Sequence, residues 1–180
     1  GAAAAFVGTV TGAMVQSSDY AQRILGNFGQ ASTLVAILAG VLIGIVIGVI
    51  NGSLIAYCHV PPFIATMGMQ LILRAAAKVI ANRPVSNLPS SYRAFGSGYL
   101  GPIPIIIIVF VVFFIISAVL LTQTRFGKKV YAVGGNDNAA RAAGINVEKT
   151  LIAVYIWSGI CAAVAGILLA GRAGSVDPSS

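Results

Sequence analysis

Apolar residues run along this chain in long blocks, not in the alternating or one-faced patterns of a soluble fold. Ala31–Ile50, Pro102–Leu121 and Thr150–Gly171 each pass without a single charge. At about 1.5 Å of rise per residue, such a block covers about 30 Å or more, the thickness of bilayer hydrocarbon. Helices are the natural reading, because a segment in lipid must satisfy its own backbone hydrogen bonds. The pattern predicts helical membrane segments over 1–16, about 31–56, about 63–82, 102–123 and 150–171, within one transmembrane domain over 1–180. The first is short, ~22 Å if helical throughout. Polar connections fall at 17–30, 57–62, 83–101 and 124–149. The expected fold is an all-α, polytopic transmembrane bundle. The chain opens apolar without a basic leader and stops at SVDPSS just after a span, so a fragment of a longer membrane protein is expected.

Composition agrees: 58% of residues are hydrophobic and 8% charged, with mean hydropathy +0.94, whereas soluble domains carry roughly 25% charged residues. The net charge of +7 does not imply nucleic acid. Arg125, Lys128, Lys129, Arg141 and Lys149 all fall in the 124–149 connection, and a basic loop between spans marks the cytoplasmic side. Alternation then places 17–30 and 83–101 outside and 57–62 inside. Cys58 and Cys161 lie at the end of a span and within one, giving no disulfide or metal framework. His59 stands alone at a span boundary. The carboxylates Asp19, Asp137, Glu148 and Asp177 are scattered and form no catalytic constellation.

The second block reads GVLIGIVIGVING, with Gly40, Gly44, Gly48 and Gly52 four residues apart. This spacing forms a bare groove along one helix face, which another helix can approach closely. The third block carries Thr66, Gln70, Arg74, Lys78 and Asn82 at the same interval, a polar stripe drifting ~40° per step. An arginine at membrane depth costs about 2.5 kcal/mol or more unless it meets protein, water or an interface. The stripe is therefore expected to avoid lipid. It would line a hydrated substrate path, or satisfy backbone carbonyls and reach the interface. Pro61 and Pro62 suit the start of this helix. Asn51 and Gly52 mark either the end of the preceding helix or an unwinding within it. Asn51, Thr66, Gln70 and Arg74 are the candidate translocation-path residues.

Within the basic connection, GGNDNAARAAGIN predicts a short helix. Asn136 or Asp137 caps its start, Asn138–Ala143 forms the run, and Gly144 gives the left-handed stop with Ile145 closing over Ala140. About two turns cannot hold their shape alone in water. Ala139, Ala140 and Ala143 would present a small apolar patch, with Arg141 pointing elsewhere. An ordinary interhelical loop containing a helical turn is the plainer alternative. VGGN at 133–136 lacks the spacing of a phosphate cradle and reads as a turn.

These residues carry a resemblance. TRFGKKVYAVGGNDNAARAAGINVEKT followed by YIWSGICAAVAGILLAGRAGS resembles the inner-membrane permease subunit of ATP-binding-cassette importers for simple sugars, the ribose, xylose and galactose group. INGSLIAYCHVPPFIATMGM and RPVSNLPSSYRAFGSGYL are similar to the same family, and the opening GAAAAFVGTVTGAMVQS lies nearest its galactose and methyl-galactoside branch. The resemblance implies that Ala139, Ala140 and Gly144 belong to a coupling helix docking on the ATPase subunit, with Asn136, Asp137, Asn138, Arg141 and Ala143 around them. Where the family often has an acid before the two alanines, this chain has Asn138. The implied partners are an ATP-binding subunit, a second permease copy, and a periplasmic or lipid-anchored sugar-binding protein, in a bacterial inner membrane. No G-x-x-x-x-G-K-[ST] loop occurs, so ATP and Mg would be held by the partner chain, and this chain is expected to carry no cofactor. A branched-chain amino-acid permease and a passive channel or structural membrane protein remain the alternatives.

Overall fold

The computed structural model describes residues 1–15, 32–81, 88 and 90–174. Asn82 of the polar stripe and the 17–30 connection therefore lie outside the described residues. The chain order is α1 (Ala2–Val15), α2 (Thr33–Cys58), α3 (Pro62–Ile80), α4 (Ser90–Ser97), the two-residue strands β1 (Tyr99–Leu100) and β2 (Ile103–Pro104), then α5 (Ile105–Thr122), α6 (Arg125–Gly135), α7 (Asp137–Ala142) and α8 (Val147–Ala173). Among the described residues α2, α3, α5 and α8 are long and apolar enough to cross a membrane. α1 is a shorter apolar helix.

Local chemistry sets the boundaries. The Ser32 hydroxyl accepts from the Val35 N–H at the start of α2. His59, at φ 52°, closes the other end, so Asn51 and Gly52 sit inside an unbroken helix and mark neither an end nor an unwinding. Pro62 is the first residue of α3, as its missing N–H allows. Gly101, at φ +66°, makes the tight turn between β1 and β2, which pair antiparallel with Tyr99 opposite Pro104 and Leu100 opposite Ile103.

The core is organised around α8, which packs on α1, α2, α4, α6 and α7. A Cβ placed on Gly44 would lie 2.5 Å from the Gly159 carbonyl oxygen, and one on Gly48 2.5 Å from that of Tyr155. Gly52 faces Ile152 in the same way. The register therefore runs antiparallel, with backbone nearly touching backbone. The groove predicted on α2 exists, but two helices share it. Gly40 faces Val7 and Thr11 of α1 as well as Ile167 of α8. Farther along α8, Gly166 meets Ala4, and Gly171 meets Gly96 of α4. Small residues thus admit three neighbours to one central helix, the kind of packing that holds helices together where lipid supplies no hydrophobic drive.

α4 is tied down by polar contacts as well. The buried Tyr92 hydroxyl and the Thr11 hydroxyl share a hydrogen bond of 2.9 Å. Burial pushes the Tyr92 phenol above its usual range, partly offset by that bond. The Ser97 hydroxyl donates to the Gly171 carbonyl at 3.3 Å. α5, by contrast, has no buried residue. It meets α8 through Phe113 stacked on Trp157 at 6.1 Å and the Trp157 Nε1–H donating to the Ser117 Oγ at 3.1 Å. An apolar groove of about 500 Å³ opens between the two, lined by Phe110, Phe113, Val164, Leu168 and others.

Candidate functional site

The basic connection is more ordered than a loop with one helical turn. Thr124 caps α6 by accepting from the Gly127 N–H. Helix α6 then continues through Gly134 and Gly135, so VGGN is the end of a helix and not a turn. Asn136 is the joint: its N–H closes α6 on the Ala132 carbonyl, while its Oδ1 accepts from the Ala139 N–H at 3.0 Å and starts α7. Asn136, not Asp137, is therefore the cap. Asp137 instead uses its Oδ1 to accept from the Asn138 N–H.

At the other end, the Ile145 N–H donates to the Ala140 carbonyl and the Gly144 N–H to that of Arg141, with Gly144 at φ +78°. This is the predicted Schellman close. Asn146 follows at once as the cap of α8, its Oδ1 accepting from the Lys149 N–H at 2.9 Å. A short knob, Asp137–Ala142, is thus held between two helices by three successive caps.

One detail differs from the sequence reading. Ala140 is 3% exposed and covered by the chain itself, so only Ala139 and Ala143 of the expected patch, with Ala142, face outward. Arg141 points away from that patch: its Nη1 donates to the Glu148 carboxylate in the first turn of α8. The pair braces the knob against α8. Glu148→Gln should accelerate hydrogen exchange at the amides of Ala140–Ile145 several-fold at low ionic strength. The difference should fade as salt screens the pair. Exchange unchanged at low salt would show that the caps alone hold the knob.

The candidate path residues are less gathered. Asn51 is 9% exposed, and its Oδ1 is buried with no hydrogen-bond partner among the described residues. Gln70 is half-buried, while Thr66, Arg74 and Lys78 are exposed. The Thr66 hydroxyl donates to the Pro62 carbonyl of its own helix. α3 buries Ala65, Leu73 and Ala77, a ridge one residue off the polar stripe. That ridge packs on α1 and α2, so the stripe is carried beside the packing face and not within it. Among the described residues Arg74 and Lys78 make no ion pair.

Comparison with known proteins agrees with this architecture. The chain is 34% identical to the galactose/methyl galactoside import permease protein of Haemophilus influenzae over 174 residues, 92% of this chain and 52% of the relative. It is 41% identical to the ribose import permease protein of Bacillus subtilis over 150 residues, 82% of this chain and 47% of the relative. With the fructose import permease protein of Rhizobium meliloti it shares 33% over 160 residues, 81% of this chain and 43% of the relative. The chain therefore spans about half the length of these relatives. No solved structure matches it. These relatives are transport permeases and not enzymes, and the bundle with its long apolar helices is that of a multi-pass membrane protein. Residues 1–180 all match one family, and the chain belongs to it: the branched-chain amino acid transport system / permease component family.

Proposed function

We propose that this chain is part of a permease subunit of an ATP-driven importer of simple sugars, set in a bacterial inner membrane with the 124–149 segment on the cytoplasmic side. The observation that carries the reading is the knob. Small, outward-facing alanines sit on a capped helix too short to persist alone, at the joint between α6 and the helix around which the bundle packs. Such a part suits a shallow groove on another protein, and its rigid link to α8 gives movement there a direct route into the spans. ATP and Mg belong to that partner, an ATP-binding subunit. A second permease copy completes the pore, and a sugar-binding protein delivers the cargo. The names of the relatives support sugars over branched-chain amino acids as cargo. Asn51 is the best-supported path residue, since an unpaired buried carbonyl oxygen would gain from a sugar hydroxyl or its water.

The full-length permease, expressed with and without its ATP-binding subunit, tests the reading by uptake of labelled galactose, ribose and leucine. Uptake of a sugar that needs the ATP-binding subunit is expected. Leucine uptake would favour the branched-chain alternative, and flux without the ATP-binding subunit would favour a passive channel.

A further inference from the structure

Helix α6 has a second face that the knob does not use. Arg125, Lys128 and Lys129 project from the same side of α6 and all are exposed, while Phe126, Val130 and Val133 are half-buried on the adjacent flank and Gly127 is buried across the helix from the cations. Tyr131 is also exposed, at 64%. Among the described residues none of the three cations is in an ion pair. Of the carboxylates described with them, Glu148 is held by Arg141 and Asp137 accepts from the Asn138 amide.

The position of this face is fixed. α5 ends at Thr122 and α6 begins at Arg125. The Thr124 hydroxyl donates to the Leu120 carbonyl, and Gly127 lies directly on the Leu121 backbone, where no side chain would fit. The three cations occupy the membrane-proximal part of α6: from Arg125 to Lys129 the rise is only about 6 Å. The polar headgroup layer is itself roughly 5–8 Å deep on each side of the hydrocarbon. The knob lies at the other end of α6. Cations and tyrosine next to a span end are the side chains that settle at a lipid interface.

We propose that Arg125, Lys128 and Lys129 form a binding surface for the headgroups of anionic phospholipids at the α5–α6 corner, anchoring α6 to the bilayer while α7 remains free to meet a protein. The proposal needs α5 to cross the membrane, but it does not depend on the cargo or on the ATP-binding subunit. An acidic protein surface is the competing occupant. The short distance to the span end favours lipid, since the charges stay within a Debye length, about 8 Å, of the membrane surface.

The purified full-length permease is offered equal amounts of phosphatidylglycerol and phosphatidylcholine with matched acyl chains, and the retained lipid is counted by native mass spectrometry. The wild type should retain phosphatidylglycerol preferentially. That preference should fall about fivefold for each of Arg125→Gln, Lys128→Gln and Lys129→Gln. Lys128→Arg with Lys129→Arg should keep it. Single substitutions on exposed side chains leave the fold intact, and gel filtration verifies this. An unchanged preference in all three single variants overturns the proposal. So does a variant that loses affinity for the ATP-binding subunit while its lipid preference stays unchanged, because the face would then belong to the protein partner.

Discussion

Gly44→Leu should drive α2 and α8 apart and remove most of the folded permease. The atoms that a side chain at Gly44 would meet are the Gly159 carbonyl oxygen at 2.5 Å and the Ala163 Cβ at 2.7 Å. Neither can rotate away, because one is backbone and the other is the first atom of its side chain. Only separation of the helices relieves the clash, and separation also loosens Gly48 against Tyr155 and Ile156 and Gly52 against Ile152. Dispersion contacts fade steeply over gaps of 0.5–1 Å, and in lipid there is no hydrophobic term to replace them. A cost on the order of 3 kcal/mol, the upper part of the usual overpacking range, lowers the ratio of folded to unfolded protein roughly 100-fold. Leucine is the better helix former by close to 1 kcal/mol, so any loss reports packing and not propensity. Gly68 supplies the control: it is exposed on α3, a side chain there meets nothing within 4 Å, and Gly68→Leu should leave stability unchanged or raised. The midpoint of heat-induced loss of the monodisperse peak, measured on full-length protein in detergent, separates the two. Equal midpoints for both variants would show that the α2–α8 seam does not hold the bundle together.

The same seam shows what could be read from sequence and what could not. On α2 the glycines recur at strict intervals in a run of Val, Ile and Leu, so the groove is visible as a pattern. The matching surface on α8 is assembled from Gly159, Ala163, Gly166, Ala170 and Gly171 at mixed spacings, because α8 serves α2, α1 and α4 in turn along its length. A single-helix period cannot express three partners. α4 was hidden for a related reason: SSYRAFGS is short, polar and rich in serine, and it holds as a helix because Tyr92 reaches Thr11 and Gly96 rests on Gly171, both distant in sequence. In the basic connection, capping residues act locally, so a cap at Asn136 or Asp137 and the Gly144 close were legible from the residues alone. The choice of Asn136 came from its place at the joint with α6. The continuation of α6 through Gly134 and Gly135 runs against local preference and was not. The Arg141–Glu148 brace joins two elements across a turn, and its geometry depends on that turn. The polar stripe of α3 was legible as a stripe, but its exposure depends on which neighbours pack beside α3.

The knob yields the second large effect, because there a single substitution can strengthen the local fold and still defeat the proposed docking. Ala139 is exposed, and its N–H already donates to the Asn136 side chain. It is the third residue of α7, where an exposed glutamate costs the helix little; the cap residue's own N–H already donates to the Ala132 carbonyl and is not free for a capping box. A negative charge near the start of a helix is favoured by the helix dipole. Ala139→Glu should therefore leave α7 as stable as before or more so, with slower amide exchange over Asp137–Ala142. If Ala139 presses into a shallow groove on an ATP-binding subunit, the same carboxylate is carried into an interface with no partner. A desolvated, unpaired charge there costs on the order of 3 kcal/mol, roughly 100-fold in affinity. ATP-driven uptake by the full-length transporter should fall to near background, while Ala139→Ser, small and neutral, should transport within a fewfold of wild type. Opposite movements of exchange and uptake distinguish a docking surface from a mere structural turn, since damage to the turn would raise exchange as uptake fell. Wild-type uptake in Ala139→Glu, with the protein correctly assembled, would place the contact with the ATP-binding subunit elsewhere on the chain.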